Sequence, residues 1–269
     1  MQSKKSTKMK QIFIAVIVLV VVSSCGNSQA EKETKVESTN EVIKVEDDAG
    51  KEFPTTDTTV SKPLELQASV EETEEDKERK LNIKRARTAI RNGVEYFKNG
   101  EMDKAKDAFK LVLEYTPEDS RACHYLGKIY YGFGQKEIAL SYYEDAVQFN
   151  PEDSASMVGA GLILFEQKDY NGAIEYYNMA IKIAPRYALA FYNRGTLLGY
   201  QKNYGAALTD MNRAIEIEPE NPKYYMNRGL ANYYLERHQR ACDDWEKAAL
   251  LGNAEAQKAL DLYCQKIVK

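Results

Sequence analysis

The stretch SRACHYLGKIYYGFGQKEIALSYYEDAVQFNP (Ser120–Pro151) is followed by SASMVGAGLILFEQKDYNGAIEYYNMAIKIAP (Ser154–Pro185), and the two share alanines, tyrosines and a closing proline at matching places. Working outward, Pro117, Pro151, Pro185 and Pro219 recur at an interval of 34 residues. Ala105, Ala139, Ala173, Ala207 and Ala241 stand twelve residues before each proline or the slot of one, and Gly93, Gly127, Gly161, Gly195 and Gly229 stand twelve before those alanines. Glycine and proline punctuate helices, so the pattern spells helix, turn, helix, turn, five times over. One helix pair of this size cannot bury its apolar face alone. The pairs must stack into an all-α solenoid whose exposed groove is the working surface, and function is expected in binding.

In a 34-residue frame the repeats begin near Ala86, Ser120, Ser154, Ala188 and Pro222. Positions 4, 7, 8, 11, 20, 24, 27 and 32 of the second repeat hold Cys123, Leu126, Gly127, Tyr130, Ala139, Tyr143, Ala146 and Pro151. Those of the third hold Met157, Ala160, Gly161, Leu164, Ala173, Tyr177, Ala180 and Pro185. This occupancy resembles the tetratricopeptide repeat (TPR). The resemblance implies a right-handed superhelical solenoid of about five TPR helix pairs, spanning residues 76–253, with a capping helix over 254–269. Glycine at position 8 and alanine at position 20 leave room for the two helices of a repeat to cross closely. Proline at position 32 ends helix B, and Asp119, Asp153 and Asn221 are placed to cap the next helix A.

Two positions change together along the chain. Arg194 and Arg228 stand at position 7, with Asp210 and Asp244 at position 23 of the same repeats, where the second and third repeats have Leu126 with Tyr142 and Ala160 with Tyr176. Ion pairs within each repeat are expected, the other reading being arginines held ready for an anionic ligand. The segment from Ala241 to Cys264 resembles the closing segment of TPR proteins of the Bacteroidota, and in part the Sel1-type repeat, from which Asp261 departs.

The amino terminus carries a different signal. Lys4, Lys5, Lys8 and Lys10 precede an unbroken apolar run over 12–22, then Ser23, Ser24 and Cys25. Eleven apolar residues are too few to span roughly 30 Å of hydrocarbon, so an export signal is expected over 1–24 rather than a transmembrane helix. Val22 to Gly26 resembles the bacterial lipobox, which implies acylation of Cys25 and a lipid-anchored protein of the bacterial cell envelope. Gly26 after the cysteine is similar to lipoproteins sent to the outer membrane. Residues 25–75 hold Pro54 and Pro63, are rich in Glu, Lys, Thr and Ser, and show no sustained period; a disordered tether with a reach of roughly 40 Å is expected.

A net charge of −4 offers no overall basic footprint, so nucleic acid is not an expected partner. His124 and His238 belong to no metal-binding or charge-relay spacing, and no phosphate loop is present, since Gly132 and Gly134 lack the completing lysine. No enzyme activity, cofactor or metal is expected. A hairpin about Gly252 brings Cys242 and Cys264 to nearly the same level, as a disulfide or as two buried thiols, while Cys123 falls on the core side.

By the TPR resemblance, helix A positions 2, 5, 9, 12 and 13 line the concave surface. They include His124, Lys128, Tyr131, Phe165, Tyr192, Tyr200, Tyr233 and Tyr234, an aromatic and mildly basic groove suited to a peptide or protein segment. The other reading of these rings is packing between repeats. A glycan-binding accessory lipoprotein is the alternative function, disfavoured because the single tryptophan, Trp245, sits at a packing position of helix B.

Overall fold

Glycine 8 and the bulky residue at position 24 decide how each repeat closes. The computed structural model describes residues 73–264. The expected signal peptide, the Cys25 lipidation site, the tether as far as residue 72 and the end of the expected capping helix lie outside the described residues. Among the described residues are eleven helices and no strand. The A helices are α1 (Glu74–Lys98), α3 (Ser120–Gly132), α5 (Ser154–Glu166), α7 (Ala188–Tyr200) and α9 (Pro222–Tyr234). The B helices are α2 (Met102–Tyr115), α4 (Lys136–Phe149), α6 (Tyr170–Ile183), α8 (Tyr204–Ile217) and α10 (His238–Leu250); α11 (Ala254–Tyr263) closes the array.

The helix ends follow from the expected residues. Each of the first four B helices stops two residues before its proline. The side chain of Asp119 accepts from the Arg121 and Ala122 amides, that of Asp153 from Ser156, and that of Asn221 from Lys223. The first helix begins at Glu74, two residues before the expected start. Thr73 and Asp76 form a reciprocal capping box, the Asp76 amide donating to Thr73 Oγ1 at 3.1 Å and the Thr73 amide to Asp76 Oδ2 at 3.2 Å. The turn between helices A and B needs a left-handed residue at position 15. Gly100 and Gly134 supply it in the first two repeats, whereas Lys168, Lys202 and Glu236 adopt φ of 69°, 66° and 61° in the others.

Inside each repeat the position 24 side chain lies on the position 8 glycine. Phe109, Tyr143, Tyr177, Met211 and Trp245 are all buried, and a Cβ built on Gly93, Gly127, Gly161, Gly195 or Gly229 would come within 3.0 Å of an atom of the facing helix. The position 20 alanines are buried as well. Tyr143 is pressed from the next repeat too, since a Cβ on Gly159 would lie 2.6 Å from its Cζ. Between repeats, α3 touches α5, α5 touches α7 and α7 touches α9, while the B helices approach one another less. The array therefore curves with the A helices on its inner side.

This packing gives a paired prediction. At Gly161 a methyl group would stand 2.6 Å from Tyr177 Cε1 and 3.2 Å from the Ala173 carbonyl, so Gly161→Ala should cost ~1–3 kcal/mol. At Gly205 nothing lies within 4 Å, so Gly205→Ala should be neutral or stabilise by up to ~1 kcal/mol. Thermal unfolding followed by circular dichroism separates the two; equal effects would refute the close-crossing account.

Candidate partner-binding groove

The expected groove residues divide into three groups. Tyr192 is 1% exposed, tilted against Tyr224 with ring centroids 5.1 Å apart, and burial raises its phenol above the ordinary range. It packs between the fourth and fifth repeats, so the expectation that it lines the groove is corrected: its side chain is core. Phe165 is also buried, with its ring edge-on to Tyr200.

His124 forms a second group with residues of the third repeat. Its Nδ1 lies 2.8 Å from Ser156 Oγ, and that hydroxyl donates to Asp153 Oδ2 at 2.6 Å. The only hydroxyl proton of Ser156 is thereby committed to Asp153, so the histidine nitrogen must carry the proton it shares with Ser156. Burial lowers the His124 pKa to about 4, with Asp153 opposing and Lys128 adding to the shift. The ring is thus neutral at neutral pH and ties two repeats together. Lys128 lies over Phe97, 5.2 Å from the ring centroid, and so belongs to the first interface between repeats.

The third group lies at the end of the array where helix A turns into helix B. Position 17 of one repeat meets position 13 of the next: Tyr170 faces Tyr200 at 5.5 Å, and Tyr204 stacks on Tyr234 at 4.7 Å with an interplanar angle of 4°. In the preceding interface the same two positions hold Lys136 and Glu166, ion-paired at 2.8 Å, and Tyr131 donates to Glu166 Oε1 at 2.6 Å. One interface slot is therefore filled by a salt bridge and then twice by paired phenols. Tyr200 is 41% exposed at this edge. Tyr233 turns instead toward Tyr263, His238 and Trp245, with centroids 5.1, 5.2 and 5.8 Å away. Tyr170 and Tyr204 were not among the expected groove residues, because they open helix B. The signal was present in their recurrence one repeat apart, each 30 residues before its partner.

Arg194 grips Asp210 with two hydrogen bonds, Nε to Oδ2 at 2.8 Å and Nη2 to Oδ1 at 2.7 Å, and its Nη1 reaches back to Asn178 Oδ1 of the preceding repeat at 2.6 Å. Arg228 repeats the arrangement with Asp244 and Asn212, and Asn232 adds a bond to Asp244 Oδ2 at 3.0 Å. Each arginine thus joins the two helices of its own repeat to the B helix before it. Cys242 and Cys264 are bonded as a disulfide with a Cα–Cα distance of 5.8 Å, which ties α10 to the end of α11. Cys123 is a buried free thiol whose pKa burial pushes up to about 12, so it is unreactive near neutral pH. Among the described residues, no group of three His, Cys, Asp or Glu is placed to hold a metal ion, and no helix is long and apolar enough to cross a membrane.

Solved structures share this architecture. The chain aligns with MamA of Desulfovibrio magneticus RS-1 at 19% identity and a TM-score of 0.55, covering 62% of this chain and 94% of that one. It aligns with the pilF protein of Pseudomonas aeruginosa at 18% identity and 0.62, covering 69% and 87%. YrrB, described as a TPR protein with an unusual peptide-binding site, gives 19% identity and 0.53, covering 65% and 91%. At such identities the likeness concerns the fold. No curated protein matches the chain in sequence. Tetratricopeptide repeat family models match residues 126–188, 192–259 and 86–119, more than half of the chain. With glycine 8, alanine 20 and proline 32 in their expected structural roles, the chain belongs to the tetratricopeptide repeat family.

Proposed function

We propose that the protein is a lipid-anchored scaffold of the bacterial envelope, held at the membrane, the outer membrane in this reading, through Cys25, and that its inner edge binds an extended segment of a protein partner. The observation that carries the reading is the phenol edge of Tyr170, Tyr200, Tyr204 and Tyr234, which presents half-buried rings and the exposed ring of Tyr200 along successive repeats. Rings with polar tips supply contact area at low entropic cost, and their hydroxyls can pair with peptide amides. Tyr204 and Tyr234 already use a face on each other, which favours a peptide over a sugar that stacks on open rings. The peptide-binding site attributed to YrrB supports a peptide ligand by analogy.

The test combines membrane fractionation with affinity purification from crosslinked envelopes. Cys25→Ser should move the protein out of the membrane fraction. Tyr170→Ala with Tyr200→Ala should lower partner recovery by about tenfold or more while the helical circular dichroism is unchanged, as expected of aromatic anchors at an interface. Undiminished recovery from a folded double variant would place recognition away from this edge, and a mature amino terminus that carries no acyl chain on Cys25 in mass spectrometry would refute the anchor.

A further inference from the structure

The first helix is longer than its repeat needs. The repeat frame begins at Ala86, yet α1 starts twelve residues earlier, and its buried residues, Ala86, Ala89 and Gly93, all lie within the frame. The extension carries exposed Leu81 and Ile83 and buries no side chain fully. Sequence and geometry agree on what it displays instead. From Lys77 to Arg91 there are seven cations and a single carboxylate, Glu78, in a chain whose net charge is −4. Lys77, Lys80, Lys84, Arg87 and Arg91 follow one another at steps of three and four, so they form one stripe along the side of the helix opposite the buried residues. All five are exposed, and at 1.5 Å per residue the stripe is about 21 Å long. A shallow depression is lined by Lys80, Ile83, Lys84, Arg87, Thr88 and Arg91, all from this helix. Lys77 pairs with Glu74, whereas Lys84, Arg87 and Arg91 have no carboxylate within ion-pair reach among the described residues.

We infer that this face of α1 docks on the anionic phospholipid surface of the membrane. Three observations select that occupant. The charge is complementary to lipid phosphate. The cations are ranged in a straight line on one side of one helix, which suits a plane of headgroups, and Ile83 among them is placed to enter the interfacial layer. The stripe also begins 52 positions after Cys25, on the first described helix. The inference rests on the anchoring proposed above only for bringing α1 close to lipid. Docking would fix the orientation of the array, with α1 against the bilayer and the phenol edge of later repeats held away from it.

The test is sedimentation of the full chain carrying Cys25→Ser with vesicles of phosphatidylcholine, with and without phosphatidylglycerol, in low and in high salt. Binding to neutral vesicles measures whatever the apolar amino terminus contributes, and the increment caused by phosphatidylglycerol measures the stripe. Near an anionic surface each Lys or Arg contributes roughly fivefold in affinity, so Lys84→Gln, Arg87→Gln and Arg91→Gln together should reduce the increment on the order of 100-fold. High salt should abolish it as well. The same charge change on other faces, by Arg186→Gln, Lys202→Gln and Arg240→Gln, should leave it intact. A stripe variant that keeps the increment overturns the inference, as does a wild-type chain that shows none but binds an acidic peptide or an oligonucleotide instead. Acylation is read separately, by mass spectrometry of the mature amino terminus, so failure of the anchor and failure of the stripe give different results.

Discussion

Arg194→Ala should cost ~3–5 kcal/mol of unfolding free energy, because it leaves the Asp210 carboxylate buried without its counter-charge. Asp210 is 3% exposed, and both of its oxygens accept from Arg194 alone among the described residues. Arg228→Ala should cost less, ~2–3 kcal/mol, since Asn232 continues to donate to Asp244 after the arginine is gone. The order of the two effects is therefore part of the prediction. Replacing both charges, as in Arg194→Ala with Asp210→Ala, should restore a large share of the loss, giving an interaction energy well above the ~0.5 kcal/mol seen for independent sites. Denaturant unfolding followed by circular dichroism, with all four variants of the cycle, measures it. A coupling near zero would mean that the arginine serves an external anion and not the fold. The bonds from Arg194 to Asn178 and from Arg228 to Asn212 carry the effect across a repeat boundary. Loss of either arginine should thus lower the cooperativity of unfolding along the array as well as its midpoint.

The helix pairs were legible because their causes are local. Proline at position 32 stops helix B by its own geometry, glycine at position 8 is required by a neighbour in the same repeat, and the paired change at positions 7 and 23 displays an ion pair within one helix hairpin. What was not legible depends on how one repeat seats on the next. Position 5 holds His124 in the second repeat and Tyr192 in the fourth, and the family pattern assigns both to the groove; the structure closes a Ser156–Asp153 pair over the first and Tyr224 over the second. Tyr170 and Tyr204 depart from the family pattern for the converse reason. They begin helix B, which the frame assigns to the outer layer, yet their rings meet position 13 of the following helix A. The start of α1 is encoded by Thr73-Glu74-Glu75-Asp76, which follows the spacing of a capping box, whereas the charge gradient alone points two residues further on.

His124 should make the junction of the second and third repeats acid-labile. In the unfolded chain the imidazole takes up a proton near its ordinary value of 6.5, while in the folded protein burial holds it neutral down to about 4. Between those values the unfolded state binds more protons than the folded one. Stability is accordingly full above pH 6.5 and falls as the pH drops toward 4. A displacement of that size corresponds to ~3 kcal/mol, and because a fifth of the side chain remains exposed, ~2–3 kcal/mol is the expected loss. Asp153, 3.6 Å from Nδ1, moderates the shift, and Lys128 strengthens it. The measurement is the urea midpoint as a function of pH for the wild type, for His124→Gln and for His238→Gln. A glutamine amide can still donate to Ser156 but cannot titrate, so His124→Gln should flatten the profile between pH 6.5 and 4.5 relative to its own neutral plateau. His238→Gln, at an exposed histidine at the start of α10, controls for the change of residue type alone. A wild-type profile that is flat above pH 4.5, or one that keeps its slope in His124→Gln, would show that the histidine reaches solvent and has room to carry its charge. In that event the ring would return to the set of side chains open to a ligand, and the curved inner face would begin one repeat earlier than the phenol edge.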